Sequence, residues 1–140
     1  MKRKLLALLA SALFLVSLAP APAHAAGVGG CWVVGYAPAS RILYNGTHVV
    51  TGLGRNNCNY PASVFTVSVD MQKRHCWLWE CWYSTYYHGP VKFASPGGYT
   101  MTEFITAPWH GSGRYRVLVN GGCYNCYVPY GSDYGPSIYL

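Results

Sequence analysis

Ser63–Gln72 reads SVFTVSVDMQ, and its apolar residues recur at every second position. Phe65, Val67, Val69 and Met71 fall on one side of an extended chain. Thr66, Ser68, Asp70 and Gln72 fall on the other, with Val64 the apolar exception. Such alternation belongs to a strand with one buried and one wet face, the usual arrangement in antiparallel sheets. Downstream, Arg114–Val119 repeats the pattern, with Tyr115, Val117 and Val119 expected inward and Arg114 and Arg116 outward. Tyr99–Thr106 is a third strand, rich in β-branched and aromatic residues. Upstream, Ile42–Tyr44 and Thr47–Val50 flank Asn45–Gly46. That dipeptide suits a type I′ hairpin turn, whose two central positions both take φ > 0. Ser95–Gly98, His110–Gly113 and Asn120–Gly122 read as further turns, and Ala26–Gly30 as a loose arm. No long stretch carries helical spacing between a cap and a stop. Short strands with frequent turns predict an all-β chain: an antiparallel β-sandwich, Ig-like or a small barrel, stabilised by disulfides.

Cys76–Tyr87, CWLWECWYSTYY, reads as one more strand. Trp77, Trp79, Cys81, Tyr83, Thr85 and Tyr87 share one face, and Cys76, Leu78, Glu80, Trp82, Ser84 and Tyr86 the other. The plain expectation is a central strand whose second face is covered by a loop. The alternative is that Trp82 and Tyr86 form an exposed binding patch.

The first 25 residues have the form of a secretory signal peptide. Met1–Lys4 is cationic, Leu5–Leu18 is almost unbroken apolar sequence, and Ala23–His24–Ala25 is an A-x-A cleavage site. Residues 26–140 are then a single secreted domain of 115 residues, located outside the cell. It keeps seven of the ten basic residues and all four acidic ones, a net charge of +3. With no basic run longer than Lys73–Arg74, no nucleic-acid partner is expected. No second apolar run is long enough for a membrane span, and no amphipathic basic helix is visible.

All six cysteines lie in this domain, where an oxidising compartment favours disulfides. If Cys76–Cys81 were continuous strand, their Cα atoms would lie roughly 16 Å apart at about 3.3 Å per residue. A bridge tolerates about 7 Å, so they pair only if a turn intervenes near Leu78–Trp79. Cys123–Cys126 is a C-x-x-C that reads as a local bridge or as two bridges to other strands. A redox pair lacks its βαβ context, and a zinc site would need a second ligand pair such as His75 and Cys76, or His88, in a compartment where thiols oxidise. Cys31–Cys58 is the favoured single pairing. If Cys123 also pairs with Cys126, then Cys76 must pair with Cys81. Either the Trp-rich strand is broken by a turn or the C-x-x-C is split. Each bridge contributes about 2–4 kcal/mol.

Chemistry is sparse. Asp70, Glu80, Glu103 and Asp133 show no spacing suited to paired acid–base work. Serine-hydrolase, zinc-protease and phosphate-loop motifs are missing. Ser112, His110 and Asp133 could be assembled into a triad only without the usual context. Gly52–Gly54 and Gly111–Gly113 read as loop glycines rather than nucleotide cradles. Asn45–Gly46–Thr47 matches a glycosylation sequon that the turn already explains. The expectation is a protein that is not an enzyme and holds no cofactor or metal.

Rings are what the domain over-supplies: thirteen Tyr, five Trp and three Phe after cleavage. Tyr and Trp give large rigid contact area, which favours binding surfaces, and they also stack on sugars. Trp82, Tyr86, Trp109, Tyr127, Tyr130 and Tyr134 are the interface candidates.

Together, early Cys31, the strand SVFTVSVDMQKR (63–74), the segment WLWEC (77–81) and Gly113–Arg114–Tyr115–Arg116 resemble the small secreted disulfide-containing β-sandwich proteins of actinobacterial secretomes. More weakly, the layout is similar to the small adaptor subunit of umbrella toxin particles. That resemblance implies a protein–protein connector between a large toxin-bearing subunit and a lectin-like one, acting in antagonism between bacteria. Cys76, the C-x-x-C and the Tyr-rich tail depart from the general pattern. A secreted hydrolase inhibitor and a carbohydrate-binding module using Trp82 or Trp109 are the alternatives.

Overall fold

The computed structural model describes residues 26–28, 31–62, 64–94, 98–124 and 130–140. Residues 1–25, read above as a signal peptide, Ser95–Gly97, Cys126 and Tyr127 lie outside them. The described elements are strands: β1 (Ala26–Val28), β2 (Cys31–Gly35), β3 (Ala39–Ile42), β4 (His48–Ala62), β5 (Val64–Trp77), β6 (Glu80–His88), β7 (Lys92–Ala94), β8 (Gly98–Pro108), β9 (Arg114–Tyr124), β10 (Tyr130–Tyr134) and β11 (Ile138–Tyr139). They form two antiparallel sheets. In the first, β4 is central, paired with β2 and β3 along one side and β8 along the other, and β1 pairs with β2. In the second, β5 is central, paired with β9 on one side and with β6 and β7 on the other. The outer side of β9 carries β10 and β11. The chain passes almost directly from β4 into β5, and so from one sheet to the other.

The sheets face each other across one core. Val67, Val69 and Met71 of β5 and Tyr115, Val117 and Val119 of β9 meet Val33, Val50, Ile105 and Ala107 of the first sheet. The alternation read from Ser63–Gln72 and Arg114–Val119 is therefore the packing seam. Its opposite face is not wholly wet, because Asp70 and Gln72 are buried beneath side chains described below.

Gly52 and Gly54 are not loop glycines. They lie in β4 and turn toward the core, where a Cβ on Gly54 would come within 2.6 Å of both Val69 and Val119. The missing side chains let the sheets approach closely. Gly54→Ala should overpack this seam and cost about 1–3 kcal/mol, read as a lower denaturant midpoint at an unchanged slope. Asn120–Gly122 is likewise strand rather than turn: it continues β9, and Gly121 fits against Val33 and Asn56. Asn56 pins the layers, its Nδ2 donating to Thr66 O at 3.0 Å and Gly122 O at 3.1 Å. Buried Asp133 makes a second pin, its Oδ2 accepting from Gly35 N at 2.9 Å.

Three local readings are corrected. Ala26–Val28 is strand β1, not a free arm. Asn45–Gly46 does turn the chain, but φ is positive at Gly46 and not at Asn45. Gly46 N donates to Leu43 O and Leu43 N to Thr47 O, which makes a three-residue loop with glycine in the left-handed position. The Asn45 side chain contributes by accepting from Thr47 N at 3.0 Å. The third correction concerns Cys76–Tyr87. It is not one strand; it reverses at Leu78–Trp79, so that Cys76 faces Cys81 and Trp77 faces Glu80.

Both described disulfides link cysteines directly opposite each other on neighbouring strands. Cys31–Cys58 joins β2 to β4, and Cys76–Cys81 joins β5 to β6, with Cα separations of 3.9 and 4.1 Å. The intervening turn that Cys76–Cys81 required is present. Cys126 and the Cys123 side chain lie outside the described residues.

Candidate docking surface

One end of the sandwich gathers three reversals. Register places them together: Ile42 faces His48, Val49 faces Pro108, and Lys73 faces Tyr115. The β3–β4 turn, the β8–β9 turn and the β5–β6 hairpin therefore project the same way. Aromatic contacts join them. The His48 ring stacks on Trp109 at 4.1 Å, Trp109 stacks on Tyr115 at 5.6 Å, and Tyr86 lies edge-on to Tyr115 and against His110. Lys73 Nζ caps the Tyr115 ring and donates to the carbonyls of His110 and Gly111. This cluster is a rigid floor. A bulge in β6 leaves Tyr86 without a partner on β5, and Tyr86 and Tyr87 both pack against the core. The Tyr86 hydroxyl is buried with no hydrogen-bond partner. Burial first, and then the neighbouring Tyr115, raise its phenol pKa well above the ordinary tyrosine range.

Above that floor stands the β5–β6 hairpin. Beyond Lys73 it outruns β9, and residues 74–82 are all exposed. Trp77, Leu78 and Trp79 at its tip keep 73%, 75% and 85% of their surface in solvent. Trp82 is about half exposed and stacks loosely on His75. Leu78 has φ = 54°, a left-handed conformation that costs a branched residue roughly 1–2 kcal/mol. The Cys76–Cys81 bridge sits one residue pair below and clamps the strands so that the strained tip persists. At the same end of the sandwich, the β3–β4 turn leaves Ile42, Leu43 and Tyr44 exposed.

The outer face of the second sheet carries another cluster. The Arg116 guanidinium lies between the rings of Tyr83 and Tyr134, at 3.9 and 4.0 Å from their centroids. Its Nε donates to Gln72 Oε1 at 2.8 Å, and the Tyr83 hydroxyl meets Ser137 Oγ. This layer lies over Gln72 in the polar row of β5. Asp70, in the same row, lies 3.4 Å from exposed His88.

The candidates read from sequence divide accordingly. Trp82 and Tyr134 are at the surface. Tyr86 and Trp109 are half-buried in the floor. Tyr127 and the Tyr130 side chain lie outside the described residues. Sequence reading missed Trp77, Leu78 and Trp79, because an uninterrupted strand would have hidden part of them. Ser112, His110 and Asp133 are not brought together: Asp133 faces Val119 in mid-sheet and holds Gly35, while His110 lies against Tyr86. Among the described residues, no three His, Cys, Asp or Glu side chains group as metal ligands, and no helix is long and apolar enough to cross a membrane. Set against known protein families, curated proteins and solved structures, the chain matches none of them.

Proposed function

We propose that this is a secreted binding protein without catalysis, an adaptor that joins partners in an extracellular complex. The observation that carries the reading is the clamped hairpin. A strained, bridged turn presents Trp77, Leu78 and Trp79 to solvent, where isolated folding gains nothing from them. An adaptor needs a second surface, and the Tyr83–Arg116–Tyr134 layer supplies one. Tyr and Arg dominate interface hot spots, and a guanidinium already held between two rings has little freedom left to lose on binding. The weak resemblance to toxin-particle connectors suggests that the partners are secreted proteins, a toxin-bearing and a lectin-like subunit among them.

Crosslinking and mass spectrometry of the chain as secreted into culture supernatant tests the adaptor reading. A stoichiometric partner protein should co-purify. Tyr134→Ala, at an exposed site, should weaken its retention roughly tenfold or more, as expected of a hot spot. A clean monomer under gentle conditions would refute the adaptor role. Retention of the chain by a polysaccharide matrix, lost with Tyr134→Ala, would move the assignment to carbohydrate binding.

A further inference from the structure

We infer that the loop-bearing end docks on a lipid bilayer carrying anionic headgroups, with the β5–β6 tip seated in the interfacial layer. The inference rests on the reading of that end as a docking surface and names what it meets.

Shape, charge and side-chain type converge. The exposed apolar groups here are knobs rather than a groove: Trp77–Leu78–Trp79 on one projection and Ile42–Leu43–Tyr44 on another, with Tyr44 entirely in solvent. A protein partner would need a separate pocket for each projection, whereas a bilayer interface yields around both. Trp and Tyr, with an apolar body and a polar handle, favour the boundary between headgroups and acyl chains.

The charges near the knobs are mostly of one sign. Arg41 lies just before the β3–β4 turn, Arg74 on the hairpin and Arg114 at the start of β9, and all three are exposed. None is paired with a carboxylate among the described residues. Of the four Asp and Glu side chains in residues 26–140, Asp70, Glu103 and Asp133 are buried in strands, and Glu80 alone accompanies the tip. Exposed cations near apolar knobs, with all but one of the acidic side chains withdrawn, complement an anionic surface. Docking would be peripheral and carried by strand hairpins, without an amphipathic helix or a spanning segment.

The test uses the full secreted chain with its bridges intact, sedimented with vesicles of phosphatidylcholine alone or mixed with phosphatidylglycerol. Binding should appear on the mixed vesicles, weaken with salt, and shift the tryptophan emission to the blue. Brominated acyl chains should quench that emission. Trp77→Ser with Trp79→Ser should weaken binding roughly tenfold or more, since it removes the apolar area that enters the interface. Replacing Arg41, Arg74 or Arg114 singly with Gln should weaken it roughly fivefold each. All these sites are exposed, and an unchanged melting midpoint confirms the fold of each variant. Failure of the wild-type chain to sediment with mixed vesicles overturns the inference, as does undiminished binding by the double Trp variant. Capture of a supernatant protein that is lost with the Trp pair, without vesicle binding, overturns the lipid assignment and leaves the adaptor reading standing. No vesicle binding together with no co-purifying partner removes both.

Discussion

Tyr115→Ala is expected to cost about 3–5 kcal/mol, a large share of the roughly 5–15 kcal/mol that holds a domain of this size together. Tyr115 is fully buried on β9, stacks on Trp109, supports Tyr86 and receives Lys73 on its face. Its hydroxyl donates to Gly111 O, which fixes the β8–β9 turn. Truncation opens a cavity beneath all three reversals at once. Tyr115→Phe retains the ring and loses only that hydrogen bond, at about 1 kcal/mol. Urea unfolding of the pair should show the Ala variant largely unfolded or shifted far to low urea, and the Phe variant close to the parent. Equal losses would mean that the hydroxyl, not the ring, secures this end.

Removing Cys31–Cys58 with a paired Ala replacement should destabilise the fold more than removing Cys76–Cys81 the same way. The first bridge spans 27 residues of sequence and the second 5. On the chain-entropy account the longer loop contributes about 3.6 kcal/mol and the shorter about 2. The losses should also differ in kind. Without Cys31–Cys58 the seam between β2 and β4 weakens and the whole domain melts earlier. Without Cys76–Cys81 the sandwich largely survives while the exposed hairpin frays, visible as faster amide exchange confined to residues 74–82. A reversed order of thermal stability would show that the hairpin staple supports the core rather than the tip.

Strands with strict two-residue alternation were legible in the sequence because one face of each must be apolar. Val67, Val69, Met71, Val117 and Val119 are the seam, as their spacing required. Glycines were not legible. Gly52, Gly54 and Gly121 carry the same letter whether they turn a loop or make room in a core, and only the opposing strand decides. Leu78–Trp79 was hidden for a related reason. It contains no Gly, Asn or Asp, so ordinary turn chemistry gave no sign of a reversal. The only trace was conditional: Cys76 and Cys81 could bond to each other only if the chain doubled back between them. The candidate surface followed that error. Reading the segment as a strand directed attention to Trp82 and Tyr86, when the reversal exposes Trp77, Leu78 and Trp79 and the β6 bulge draws Tyr86 against the core. The Tyr83–Arg116–Tyr134 layer escaped notice because its members come from three strands far apart in sequence.

The left-handed leucine at position 78 sets robustness against performance. Glycine there would relax the backbone, so a library enriched purely for heat tolerance should drift toward it. Such descendants would be hardier and blunter, their hairpin lacking the branched side chain at its apex. Improvement of this protein by thermal screening alone would therefore erode the protrusion that we propose as its docking tip.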